Sequence, residues 1–149
     1  MGKVVIEVRL NQKPFSANKM HYAKFKKDTK EYREFKSAIY QLLGTQTYDF
    51  LDTDKFKLSL ITGFSSSLSD LDNAFKPLLD SMQLAMGFDD RQVFEIEALK
   101  DKVNKGDEYL MIRLETITDN QWKRRIRKLF PVFHKEARLS MTQVNPRWT

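Results

Sequence analysis

The hydrophobic period of this chain changes more than once between residues 55 and 117. In "KFKLSLITGF", Phe56, Leu58 and Leu60 alternate with Lys55, Lys57 and Ser59, the period of two that a half-buried strand requires. Leu71, Phe75, Leu78, Leu79, Met82 and Met86 then recur at helical spacing. "RQVFEIEALK" and "EYLMIRLETI" read as strands again. A helix and several strands each with one apolar side must bury those sides against each other.

The flanking segments extend the pattern. Val4, Ile6, Val8 and Leu10 alternate with Glu7 and Arg9 in an N-terminal strand. "NQKPFSANKMHYAKFKK" is polar and basic, contains Pro14, and reads as a loop. Asp28 and Glu31 have capping-box spacing and open a helix with Tyr32, Phe35, Ile39, Leu42 and Leu43 on one face. Gly44 is placed to end it. Ser69 is expected to cap the central helix. Pro77 inside it costs about 3 kcal/mol unless the helix bends or a short turn near Phe75 precedes it. "DKVNKGD", with Asn104 and Gly106 as turn residues, predicts a hairpin between the last two strands. "DNQWKRRIRKL" starts a basic helix with Trp122, Ile126 and Leu129 expected in the core, interrupted by Pro131 before a tail. The order β-α-β-α-β-β predicts an α/β (α+β) fold: one compact domain, a mixed four-stranded sheet, two main helices, and a basic C-terminal helix and tail. Residues 1–118 form the body of that domain and 119–149 its basic extension.

Size and composition allow a core without staples. The 149 residues include eleven Phe and five Tyr, and the absence of Cys excludes disulfides and thiolate chemistry. No apolar run approaches 18 residues and the N-terminus lacks a signal-peptide pattern, so a cytoplasmic protein with no membrane partner is expected. The net charge of +6 is unevenly placed. Residues 13–36 and 119–149 are basic, and residues 37–118 are acidic. Basic ends around an acidic middle suit a protein that collects phosphates and holds a cation, although each cluster taken alone is equally a solvated face.

The acids concentrate in "SDLDNAFKPLLD" and in the pair Asp89–Asp90. With Ser69 as cap, Asp70 and Asp72 fall in a first helical turn, where the macrodipole favours negative charge by about 0.3–1 kcal/mol each. Lys76 lies four residues from Asp72 and from Asp80, the spacing of an ion-pair ladder. The other use of the same residues is a hard-cation site. Carboxylates with no Cys or His nearby select Mg²⁺ or Mn²⁺, and Lys76 would counter charge on a phosphate under attack. That use requires Asp90 to come back across the fold. His21 and His134 read as surface histidines, and no nucleophile elbow, P-loop or dinucleotide fingerprint is present, so no organic cofactor is expected.

Asp70, Asp72, Asn73, Lys76 and Asp80, followed by Asp89, Asp90 and Val93, resemble the D-x-D-N-x-x-K-x-x-x-D … D-D-x-x-V signature of RusA-type Holliday-junction resolvases (crossover-junction endodeoxyribonucleases). Pro14, Ser16 and Asn18 resemble that family's P-x-S-x-N segment. By element order the resemblance covers roughly residues 4–117. It implies a homodimeric, Mg²⁺-dependent endonuclease of recombination and repair that cuts four-way DNA junctions by paired hydrolysis, with Mn²⁺ substituting. It implies Asp70, Asp72 and Asp90 as metal-binding catalytic acids, Asp89 as a neighbouring metal acid, and Lys76 as a catalytic lysine. Many members are encoded by phages or prophages, so the expected location is a bacterial or phage-infected cytoplasm. Lys13, Asn18, Lys19, Lys24, Lys26 and Lys27 of the loop, with Lys123, Arg124, Arg125, Arg127 and Lys128 of the last helix, are the expected DNA contacts. Two alternatives stay open: a non-catalytic junction-binding protein, and a Mg²⁺ nuclease for other branched DNA.

Overall fold

The computed structural model describes residues 2–21 and 27–131. Lys24, Lys26, His134 and the C-terminal tail lie outside the described residues. Four strands, β1 (Val4–Leu10), β2 (Lys55–Phe64), β3 (Val93–Lys102) and β4 (Tyr109–Ile117), form one mixed sheet in the order β1-β4-β2-β3. Helices α1 (Lys30–Leu43) and α2 (Phe75–Met86) share one face, and α3 (Asp119–Leu129) follows β4. The expected α+β domain with a mixed four-stranded sheet is thus what forms.

Alternation sets the layers. Phe56, Leu58 and Leu60 of β2 are buried with Leu110, Ile112 and Leu114 of β4, against Phe35, Ile39 and Leu43 of α1 and Leu78, Met82 and Met86 of α2. The opposite sheet face carries charge instead: Lys57 pairs with Glu97 at 2.7 Å, and Arg113 with Glu115 at 3.3 Å.

The expected hairpin is absent. β3 runs parallel to β2 on one side, and β4 runs antiparallel to β2 on the other. The connection from β3 to β4 passes over the end of β2, where the Val103 N–H bonds the Phe64 carbonyl at 3.0 Å. Its turn is as expected: Asp107 N–H bonds Asn104 O at 3.0 Å and Gly106 has φ +97°.

The helix ends also differ from expectation. Thr29, not Asp28, caps α1 by accepting from Tyr32 N–H. Asp28 instead pairs with Lys36 and with His21. Gly44 ends α1 at φ −83°, so no left-handed residue is needed there. Ser69 does not cap α2. A 3-10 turn at Asp72–Ala74 leads into the helix, whose N-cap Ala74 has no side-chain bond. Pro77 therefore sits in the first turn of α2, where the missing N–H had no partner to lose. Gly87 closes α2 in the left-handed conformation, φ +81°.

Helix α3 is capped by Thr118 and Gln121. It is tied down by Lys55–Asp119 at 2.6 Å, by two Arg125 bonds to Glu95 at 2.7 and 3.0 Å, and by the Trp122 ring against Phe94. Its apolar residues are not core. Leu129 is 59% exposed and Ile126 37%, because the covered face of the sheet is already filled by α1 and α2.

Candidate active site

The acidic residues fall in two places. After β2, the exposed loop 65–71 carries Asp70, and Asp72 opens the 3-10 turn that follows. Both carboxylates are on residues open to solvent. Asn73 Nδ2 donates to Asp70 Oδ2 at 3.3 Å, while no described side chain pairs with Asp72. The loop is held from outside by Lys100 of β3, whose Nζ lies 2.5 Å from Ser69 O and 3.4 Å from Ser67 O. Ser65 adds a bond to Glu108 at 2.6 Å.

Asp89 and Asp90 stand at the other end of α2. Asp89 caps the short turn Asp90–Gln92 in a capping box with Gln92. Its carboxylate also receives the Arg91 guanidinium at 2.7–3.1 Å, and these bonds, then the Arg91 backbone N–H, hold it well below the usual carboxylate range. Asp89 is thus already engaged by Arg91. Asp90 is exposed, and its N–H is taken by Gln83 Oε1 at 3.1 Å. Gln92 Nε2 ties the same turn to Leu51 O and Asp54 O at 2.9 and 3.1 Å.

The topology separates these two places. Since β2 and β3 are parallel, α2 must run back along the sheet between them. Asp70 and Asp72 follow the C-terminal end of β2, and Asp90 precedes the N-terminal end of β3, whose Val93 pairs with Phe56. Twelve residues of helix span about 18 Å. An aspartate side chain cannot bridge that, and among the described residues no three His, Asp or Glu side chains are placed to hold one metal ion. The return of Asp90 to Asp70 and Asp72 does not occur within one chain. The donor chemistry itself, solvent-facing carboxylates without Cys or His, suits a hard divalent cation.

Lys76 is the second residue of α2, at the Asp72 end. Its Nζ is 2.6 Å from Asp80 Oδ1, and the buried Tyr32 of α1 reaches Asp80 Oδ2 from the other side at 3.5 Å. The bond to Asp80 raises the Lys76 pKa above the ordinary lysine value, with a smaller contribution from the charge of Asp90. Burial, then the charges of Asp80 and Asp28, push the Tyr32 phenol up as well. The ion-pair ladder is therefore present on its Asp80 side.

The basic residues also divide. A cleft of about 450 Å³ beside Asp70 and Asn73 is lined by Lys13, Ser16, Asn18 and Lys19, with Phe64 and Leu68. Ser16 caps the short turn Ala17–Lys19, and Thr29 Oγ1 bonds Lys19 O at 2.6 Å, so the loop carrying these lysines is anchored to α1. Lys27 is exposed. On α3, Lys123, Arg124, Arg127 and Lys128 are exposed at the Asp90 end of the sheet, whereas Arg125 is engaged by Glu95. Sequence reasoning missed Lys100, whose strand periodicity marks only a surface lysine. It also missed the Asp89–Gln92 capping box, which the D-x-x-Q spacing would have flagged. No described helix is long and apolar enough to cross a membrane.

A family model described as endodeoxyribonuclease RusA matches residues 11–115. The match takes in the cleft loop, both acidic places and Lys76, and stops before α3. No curated protein matches the chain. With well over half its residues matched, the chain belongs to the endodeoxyribonuclease RusA family.

Proposed function

We propose that the protein is a Mg²⁺-dependent homodimeric endonuclease that resolves four-way DNA junctions by paired phosphodiester hydrolysis. The observation that carries the dimer is the separation of Asp70 and Asp72 from Asp90 along α2. If these acids hold a common cation, a second copy must supply the missing one. Asp70 and Asp72 of one protomer and Asp90 of its partner would then hold Mg²⁺, or Mn²⁺ in its place. Two carboxylates at 5 Å repel by roughly 3 kcal/mol at an effective dielectric near 20, which a divalent cation reverses. When bound, such a cation lowers the pKa of a coordinated water and neutralises charge on the scissile phosphate.

The chain's own residues supply the remainder. Lys76, an ammonium bonded to Asp80, offsets the negative charge that builds on the phosphate. Hydrolysis joins the water oxygen to phosphorus and breaks the bond to the 3′ oxygen. The 3′ oxygen takes a proton, leaving a 5′-phosphate and a 3′-hydroxyl. Each acidic place has basic residues at its side: Lys13 and Lys19 in the cleft by Asp70, and Lys123, Arg124 and Lys128 at the Asp90 end. A shared site would bring both sets onto one DNA. Two sites related by a two-fold axis match the approximate symmetry of a four-way junction and permit cuts in opposing strands.

Mixing two inactive variants tests this arrangement. Asp72→Asn and Asp90→Asn are each expected to be inactive. In a mixed dimer the shared-site arrangement puts both substitutions into one site and leaves the other intact. The mixture should therefore nick one strand of a synthetic junction without resolving it. A mixture as inactive as its parents, with mixed dimers demonstrated, rejects the shared site. Cleavage of flap or fork DNA in preference to the junction would reassign the substrate. Junction binding without cleavage at any Mg²⁺ or Mn²⁺ concentration would leave a DNA-binding protein.

A further inference from the structure

Loop 65–71 has little structure of its own. Ser66, Ser67, Leu68 and Asp70 are exposed, and the internal bonds are long: Leu68 N–H to Ser66 Oγ at 3.2 Å and Ser69 N–H to Ser66 O at 3.4 Å. Among the described residues, the hydrogen bonds that reach the backbone of 66–70 from outside this segment come from one side chain, Lys100. Lys100 stands on the edge strand β3, opposite Thr62. Its ammonium lies 5.5 Å from the centre of the Phe64 ring, and ends 2.5 Å from Ser69 O, one residue before Asp70.

A cation between two carbonyls and an aromatic face does two things here. It fixes the peptide that precedes Asp70, and it sets a positive charge beside the loop that carries that carboxylate. An exposed ligand on an unfixed loop must lose backbone freedom when it takes up a cation, at about 1–2 kcal/mol per residue ordered. A loop ordered beforehand has already met that cost.

We propose that Lys100 is a positioning residue for the acidic loop, holding Asp70 where it can take its divalent cation. This rests on the reading of Asp70 and Asp72 as cation ligands. Lys100 itself touches neither the cation nor the scissile phosphate. Its role is to order the backbone from the far side of the loop, through Ser67 and Ser69.

The test uses full-length protein and Mn²⁺ as the probe. Lys100→Met keeps the aliphatic stem over Phe64 and removes the donors, and Lys100→Arg keeps charge and donors. Lys100→Gln is a second neutral variant should the Met variant fold poorly. Mn²⁺ binding followed by electron paramagnetic resonance should weaken about tenfold in Lys100→Met, the usual scale for losing an outer partner of a metal ligand. It should recover in Lys100→Arg, with melting temperature unchanged. Amide exchange of the peptide covering residues 66–71 should quicken in Lys100→Met without any metal added. Raising Mn²⁺ should restore the cleavage rate of Lys100→Met. Unchanged Mn²⁺ affinity and unchanged loop exchange overturn the proposal while leaving the cation reading intact. Intact Mn²⁺ affinity with weaker junction binding also overturns it, because Lys100 would then be a DNA contact. A wild-type protein that takes up no Mn²⁺ removes the cation reading and this proposal together.

Discussion

Asp89 and Asp90 are adjacent and identical in type, yet their surroundings give them different work. Asp89 is engaged two ways: as cap of the turn Asp90–Gln92, accepting from Arg91 N–H, and as partner of the Arg91 guanidinium. Asp90 has an exposed side chain, and its N–H is held by Gln83. Asp90→Asn is therefore expected to lose cleavage by orders of magnitude with little change in stability. Asp89→Asn is expected to keep most of the activity, since Asn is also a good cap. Rates on a junction substrate, with thermal melts of the same samples, check both outcomes. Equal losses of rate for the two variants would restore Asp89 to the ligand set. Lys76→Gln should reduce the rate about 10²-fold without weakening junction binding, the scale for removing one charge-stabilising donor. The acids and Lys76 were legible as candidates, because residue type and spacing are local facts, but the split of the acids between two places was not. Which acid Arg91 bonds was not legible either, because that depends on where its side chain goes in space.

At the scale of elements, the strands and helices follow from period, and their ends and neighbours do not. Thr29 outcompetes Asp28 as cap of α1, because Asp28 is drawn to Lys36 and His21 across the loop. Ser69 loses the start of α2 because the chain first makes a 3-10 turn at Asp72–Ala74, which also puts Pro77 in the first turn. Thr29→Ala and Thr118→Ala should each cost about 1 kcal/mol of stability, the usual loss for a helix N-cap. Ser69→Ala should stay within about 0.5 kcal/mol, the range of an uninvolved surface change. Denaturant titrations of the three variants measure this, and a Ser69→Ala loss as large as that of Thr118→Ala would contradict a helix start at the Asp72–Ala74 turn. The missing hairpin has a similar origin. Neighbouring strands lie about 4.8 Å apart, so crossing over β2 requires only about 10 Å. Six residues reach that as readily as they make a hairpin loop. Asn104 and Gly106 specify a turn, and a turn does not say whether its strands pair or straddle a third.

At the scale of the whole molecule, the uneven charge was visible in the sequence, but its distribution over the fold was not. The cleft lysines sit beside Asp70, and α3 stands about the length of α2 away, at the Asp90 end. If each set serves a different protomer's half of one site, both must contact the same DNA. The dependence of affinity on salt reports this directly. Neutralising about six phosphates gives a slope of log affinity on log salt near −5. Replacing Lys123, Arg124 and Lys128 together by Gln should then make the slope shallower by about 3, close to 0.9 for each phosphate no longer neutralised. Arg125→Gln should leave the slope unchanged, because its guanidinium is held by Glu95, and should instead loosen α3 from the sheet. The family match ends at residue 115, before α3, so this helix can be altered without touching the matched part of the chain. A slope that stays near −5 in the triple variant would place every phosphate contact outside those three side chains. The cleft loop would then carry the DNA on its own, and α3 would be a structural appendage at the Asp90 end.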